Sequence, residues 1–178
     1  MSVVNQIVSS FSNNKSLYIG EKITMSEHMI QTAMLAEKYN CSNDLVCSSL
    51  LHDYGHFILK NPDELVKNEE DGKHEEVGHK FLKQYFVRNV VEPIKYHVKA
   101  KRYLARTEKY YQNLSEASKV SLKLQGGIMN DAETKIFQNS EFFENSIQLR
   151  KFDEMAKKTN IKIKSINDYK NLLTSKLI

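Results

Sequence analysis

Residues 42–59 read Ser42-Asn43-Asp44-Leu45-Val46-Cys47-Ser48-Ser49-Leu50-Leu51-His52-Asp53-Tyr54-Gly55-His56-Phe57-Ile58-Leu59. The Ser-Asn-Asp start supplies N-capping oxygens, so the stretch predicts a helix from Ser42 to Leu59, stopped by Asn61-Pro62. Within this otherwise apolar helix sit His52 and Asp53. Neighbouring side chains on a helix point about 100° apart, so the two approach one site from adjacent directions. A carboxylate has two oxygens and can bridge two metal ions, whereas an imidazole binds one. His56 follows His52 by four residues and Asp53 by three, so it projects over the same region. Ser48 and Ser49, one turn earlier, are small and leave room for ions and ligands. A lone mid-helix His-Asp pair is ordinarily a surface feature; this one follows Leu50-Leu51.

The surrounding chain reads as helical throughout. It has 178 residues, with two prolines, six glycines and 40% hydrophobic residues, a composition that excludes collagen-like, low-complexity and disordered classes. Thr24-Met25-Ser26-Glu27 is a capping box opening a helix to about Tyr39. Residues 61–73 form a polar, acidic connection ending in a glycine turn. Further helices are predicted from about His74 to Phe86, from Val90 to Leu104, and from Ser115 to a stop at Gly126-Gly127. A short one follows Asp131, and others cover 141–158 and 166–177. No stretch alternates long enough for a strand. The expectation is a single all-α domain over 1–178, with its working core at about 18–158.

Charge and cysteine content narrow the partners. The balance of 26 basic and 22 acidic residues gives +4, too mild to indicate nucleic acid. No apolar run approaches the ~20 residues of a membrane span, and the N-terminus lacks a signal-peptide core. Cys41 and Cys47 are too few for a disulfide scaffold, so reduced thiols in a cytoplasm are expected. The sequence does not define an oligomeric state.

All six histidines fall within the first 100 residues. Taken singly, His28, His74 and His97 would be ordinary core or surface histidines. Three on separate predicted helices around a His-Asp pair instead suggest a metal site. The His97 face carries Val90, Ile94, Lys101 and Leu104, which makes Lys101 a cation on a mostly apolar surface. Lys95, Lys99, Arg102 and Arg106 form another stripe, read as solvated charge. Asp153, flanked by Leu149, Phe152 and Ala156, is a partly buried carboxylate that coordination would satisfy. Asp131 and Asp168 read as helix caps, and Glu75 and Glu76 as first-turn acids. His79 lies off the His74 face and is expected to be exposed.

The ordered set His28, His52-Asp53, His74, His97 and Asp153 resembles the HD-domain superfamily of helical metalloproteins, in the branch that binds two metals. Four imidazoles and two carboxylates suit a first-row ion such as iron better than magnesium or calcium. Tyr18-Ile19-Gly20-Glu21 before Glu27-His28 looks like the mixed-valent di-iron oxygenases of phosphonate breakdown. So do Leu51-His52-Asp53-Tyr54-Gly55-His56, His97-Val98-Lys99-Ala100-Lys101, and Ser121-Leu122-Lys123-Leu124-Gln125-Gly126-Gly127. The His74 region is a looser match, carried by His74-Glu75 alone.

That resemblance implies two iron ions, Fe(II)/Fe(III), one held by His28, His52, Asp53 and Asp153 and the other by Asp53, His74 and His97. Tyr18 would occupy an open iron position until substrate displaces it, and Glu21 would accept hydrogen bonds from a substrate ammonium. Lys101, Ser121 and Gln125 would serve the phosphonate, and His56 would donate to bound oxygen or substrate. The implied reaction is O2-dependent cleavage of the carbon–phosphorus bond of a small 1-hydroxyphosphonate. The amino compound, 2-amino-1-hydroxyethylphosphonate, giving glycine and phosphate, is the expected substrate. The alternative is a metal-dependent phosphohydrolase acting on a nucleotide or phosphate ester, with the same metals activating water. A non-catalytic, metal-binding sensor is a third reading.

Overall fold

The Thr24 capping box forms as expected: the Thr24 hydroxyl accepts the Glu27 N–H at 3.2 Å, and Glu27 accepts the Thr24 N–H at 2.6 Å. A computed structural model describes residues 1–18, 20–59 and 71–178. Its helices are α1 (Val3–Asn13), α2 (Met25–Lys38), α3 (Asn43–Leu51), α4 (Gly55–Ile58), α5 (His74–Leu82) and α6 (Arg88–Leu104). Next come α7 (Glu108–Asn113), α8 (Glu116–Leu124), α9 (Asp131–Gln138) and α10 (Phe143–Met155). A 3-10 turn (Ile166–Tyr169) leads into α11 (Lys170–Ser175). Among the described residues there is no strand, only isolated bridges joining Leu17 to Thr24 and Phe86 to Leu177. None of the described helices is long and apolar enough to cross a membrane. The Asn61-Pro62 stop and most of the acidic connection lie outside the described residues.

Helix α10 packs on α6 and α2, and α3 packs against both α2 and α6. Their shared core includes Met29, Ala33, Leu50, Leu51, Ile94, Leu149 and Phe152. Helix α1, which the sequence reading left without structure, adds Val4, Ile7 and Phe11 to that core. Ser48 serves packing, since its hydroxyl donates to the Val90 carbonyl and so ties α3 to α6. Cys41 and Cys47 are free thiols, and burial pushes the Cys47 thiol up.

The helix expected to run from Ser42 to Leu59 is instead broken at His52. Tyr54 N–H donates to Leu51, His56 to Asp53 and Phe57 to Tyr54, each bond spanning three residues rather than four. This tightening turns the chain so that α4 lies across α5. Gly55 is required there, because a Cβ on it would collide with the His74 carbonyl, and Gly78 faces it from α5.

Other expectations shift in detail. Asn130, not Asp131, caps α9, and Asp168 sits third in a capping box begun by Ser165. Asp131 instead pairs with Arg106 at 2.6 Å. Arg102 and Arg106 are not free solvated charges. Arg102 donates to the carbonyls of Gly127 (2.9 Å) and Gly126 (3.3 Å), and Arg106 to that of Met129 (2.7 Å). Gly126 and Gly127 have positive φ, +95° and +71°, as a helix-ending turn requires. His79 is half-buried and meets Glu92 at 3.2 Å. Glu75 turns inward rather than into solvent.

Candidate metal centre and substrate cavity

His28 from α2, His52 and Asp53 from the turn after α3, His74 from α5, His97 from α6 and Asp153 from α10 converge in the interior. All six are buried. They fall into two triads, His28–His52–Asp153 and Asp53–His74–His97. Asp53 stands between them. Its Oδ2 lies 3.6 Å from His28 Nε2 and 3.3 Å from His52 Nε2, while Oδ1 lies 3.2 Å from His74 Nε2 and 3.5 Å from His97 Nε2.

The imidazoles are oriented from behind. Nδ1 of His28 lies 2.9 Å from the Ala156 carbonyl, that of His52 2.9 Å from Ser49 and that of His97 2.7 Å from Ile94. A carbonyl can only accept, so each of these Nδ1 atoms carries a proton and each Nε2 is turned inward. His74 Nδ1 faces Glu75 at 3.6 Å. Within each triad two Nε2 atoms then confront one another, His28 with His52 at 3.2 Å and His74 with His97 at 3.1 Å. Close Nε2 atoms beside two carboxylates make a donor set that draws positive charge, and, against burial, Asp53 raises His52 to about 9. The residues fit a dinuclear metal site.

Electrostatics favour ligand-competent acids. Burial opposes ionisation of Asp53, but the surrounding imidazoles, His52 foremost, hold its carboxyl well below the usual range. Asp153 is likewise held down against burial, chiefly by Arg150, which donates to it at 2.5 Å. Burial and the His56 ring push His74 down to about 3, a neutral imidazole.

A cavity of about 300 Å³ opens onto the second triad. His56 lines it and stacks on His74, with ring centres 4.2 Å apart. Lys101 is buried in its wall and donates to the Ser121 hydroxyl at 2.8 Å. Gln125 lies on the same wall, with its carbonyl oxygen buried and unpaired among the described residues. Tyr18 stacks on His28 (3.9 Å between centres), and its hydroxyl lies 3.5 Å from Asp153, on the side of the first triad. Burial and the two aspartates raise that phenol well above its ordinary value, so it stays protonated. Glu21 lines the same cavity. All twelve candidate residues thus border one space or its floor.

Two cavity residues went unread in the sequence. Arg150 is buried and pairs with Asp153, Glu154 and the Tyr110 hydroxyl. Its signal was the three-residue spacing to Asp153 on one helix face. Lys157, just past α10, reaches Glu21 at 3.3 Å.

The family model described as HD domain matches residues 25–122. A [1-hydroxy-2-(trimethylamino)ethyl]phosphonate dioxygenase (glycine-betaine-forming) of Leisingera caerulea is 40% identical over 145 residues, 81% of this chain and 74% of the relative. A hydroxymethylphosphonate dioxygenase of Gimesia maris is 38% identical over 156 residues, 85% of this chain and 77% of the relative. An uncharacterized protein of Acanthamoeba polyphaga mimivirus is 37% identical over 175 residues, 96% of this chain and 80% of the relative. With the paired histidines and the shared aspartate in place, these matches show that the chain belongs to the HD-domain family of phosphonate oxygenases.

Proposed function

We propose that the protein is a di-iron oxygenase that uses O2 to cleave the carbon–phosphorus bond of a small 1-hydroxyphosphonate. The observation that carries the reading is Asp53, whose two oxygens face two separate imidazole pairs beneath a cavity with a buried lysine. The likeness to relatives named as phosphonate dioxygenases supports the reaction class. One iron would be held by His28, His52, Asp53 and Asp153, and the other by Asp53, His74 and His97. When bound, the irons supply redox capacity for O2 and Lewis acidity for the substrate's oxygens.

The chain's own residues do the rest. Lys101 offers a compact charge to the phosphonate, with the Ser121 hydroxyl and the Gln125 amide beside it. His56, whose pKa burial lowers, is neutral and can donate one hydrogen bond into the cavity. Tyr18 keeps its proton and shields the Asp153 side of the centre until substrate moves it. Val98, Val120 and Leu124 give the wall an apolar side that limits water near the reacting carbon.

The finer reading, 2-amino-1-hydroxyethylphosphonate as substrate, depends on Glu21 being available to an ammonium. The hydrolase alternative fits the cavity less well. A nucleotide calls for stacking surfaces, and besides imidazoles Tyr18 is the only aromatic ring among the described lining residues. Phosphate release from a 1-hydroxyphosphonate by iron-loaded protein, with and without O2, tests the proposal. Release only with O2 is expected, and O2-independent release from a phosphate ester would replace the oxygenase with a hydrolase.

A further inference from the structure

Glu21, the acid expected to meet a substrate ammonium, already has a cation. Lys157 Nζ lies 3.3 Å from Glu21 Oε1, 3.6 Å from Glu154 Oε2, and donates to the Ser118 hydroxyl at 3.2 Å. It donates to the Ser115 hydroxyl as well, at 3.4 Å, so two hydroxyls and two carboxylates surround the ammonium. Its charge also lies 5.7 Å from the centre of the Tyr18 ring, against the face an incoming cation would use. The Lys157 and Glu21 side chains are only 14% and 19% exposed, so solvent screens this pairing little. The second buried cation nearby, Arg150, is occupied by Asp153 and Glu154.

We infer that Lys157 is a specificity-determining residue that fills the position of a substrate ammonium, so the preferred 1-hydroxyphosphonate carries no cation on its reacting carbon's substituent. This deepens the proposed function and rests on it. A substrate ammonium entering here must displace Lys157 from Glu21 or lie beside a like charge, and like charges at close quarters act against a partner strongly. A hydroxymethyl or neutral alkyl substituent meets neither obstacle. The amino substrate expected from the sequence is thereby disfavoured by a residue to which the sequence reading assigned no role.

The test compares hydroxymethylphosphonate with 2-amino-1-hydroxyethylphosphonate on iron-loaded native protein, Lys157→Met and Lys157→Arg. Binding is measured by anoxic titration calorimetry, and phosphate release is measured after O2 is admitted. Native protein should bind hydroxymethylphosphonate at least about tenfold more tightly, Lys157→Met should shrink that ratio by about tenfold, and Lys157→Arg should keep it. Native preference for the amino compound overturns the inference, as does an unchanged ratio in Lys157→Met. The native comparison decides even where the Met variant fails to fold. If neither compound binds nor yields phosphate, the functional reading itself falls, a result distinct from binding with the wrong preference.

Discussion

Arg150 and Asp153, one turn apart on α10, form a buried ion pair at 2.5 Å on the floor of the cavity. On the proposed ligation Asp153 faces two cations, the guanidinium and an iron. Removing one partner of a buried pair costs about 3–5 kcal/mol because the other charge is left uncompensated. Arg150→Met should therefore destabilise chelator-treated protein by about that amount, and iron-loaded protein by less. Thermal unfolding with and without iron checks this, and equal losses in both states would remove Asp153 from the ligand set.

Asp53 and His74 make a contrasting pair of substitutions. Asp53 reaches both triads, whereas His74 belongs to one. Asp53→Ala should lose both irons together, and His74→Ala should keep the one held by His28, His52 and Asp153. Elemental analysis of the purified variants reads this directly. A full complement in Asp53→Ala would refute the bridge.

Lys101 predicts a pH dependence. Burial, then Arg150, pulls its ammonium down to about 7, against the opposing pull of Asp153, Asp53 and Glu75. A depressed amine is charged below that value and neutral above it, so affinity for a phosphonate should fall as pH rises through 7. Lys101→Arg keeps its charge throughout and should flatten the profile. Calorimetric Kd values from about pH 6 to about pH 9 give the slope. A native profile as flat as that of the arginine variant would take Lys101 out of phosphonate binding.

Gly55 should tolerate no side chain. A Cβ there meets backbone at His74, which cannot swing aside as a flexible side chain would. Gly55→Ala is expected to cost about 1–3 kcal/mol by overpacking, lowering Tm by about 2–10 °C for a chain of this size. Calorimetry would show the shift, and an unchanged Tm would mean that α4 and α5 separate without cost.

The helical class and the inward-facing set were legible because burial and spacing agreed. His97, Ile94 and Lys101 share a face on α6, and Asp153 sits between Leu149 and Ala156. Helix α1 was missed although Val4, Ile7 and Phe11 make a stripe, because it is short and rich in serine, asparagine and β-branched residues of poor helix propensity. The break at His52 was invisible because what it accommodates, the close approach of Gly55 to His74 on α5, lies far along the chain. Arg102 looked solvated for the same reason: its partners, the carbonyls of Gly126 and Gly127, are reached only through the fold. Lys157 resembled every other lysine near the end of the chain until Glu21 was placed opposite it.

Chain order adds a consequence for biosynthesis. Asp53, His74 and His97 have all been made once α6 is complete, whereas the triad of His28 and His52 waits for Asp153 on α10. On the proposed ligation the two donor sets are therefore completed in a fixed order along the chain. The donors of one site are all present before α10 is made, while those of its neighbour are complete only with α10.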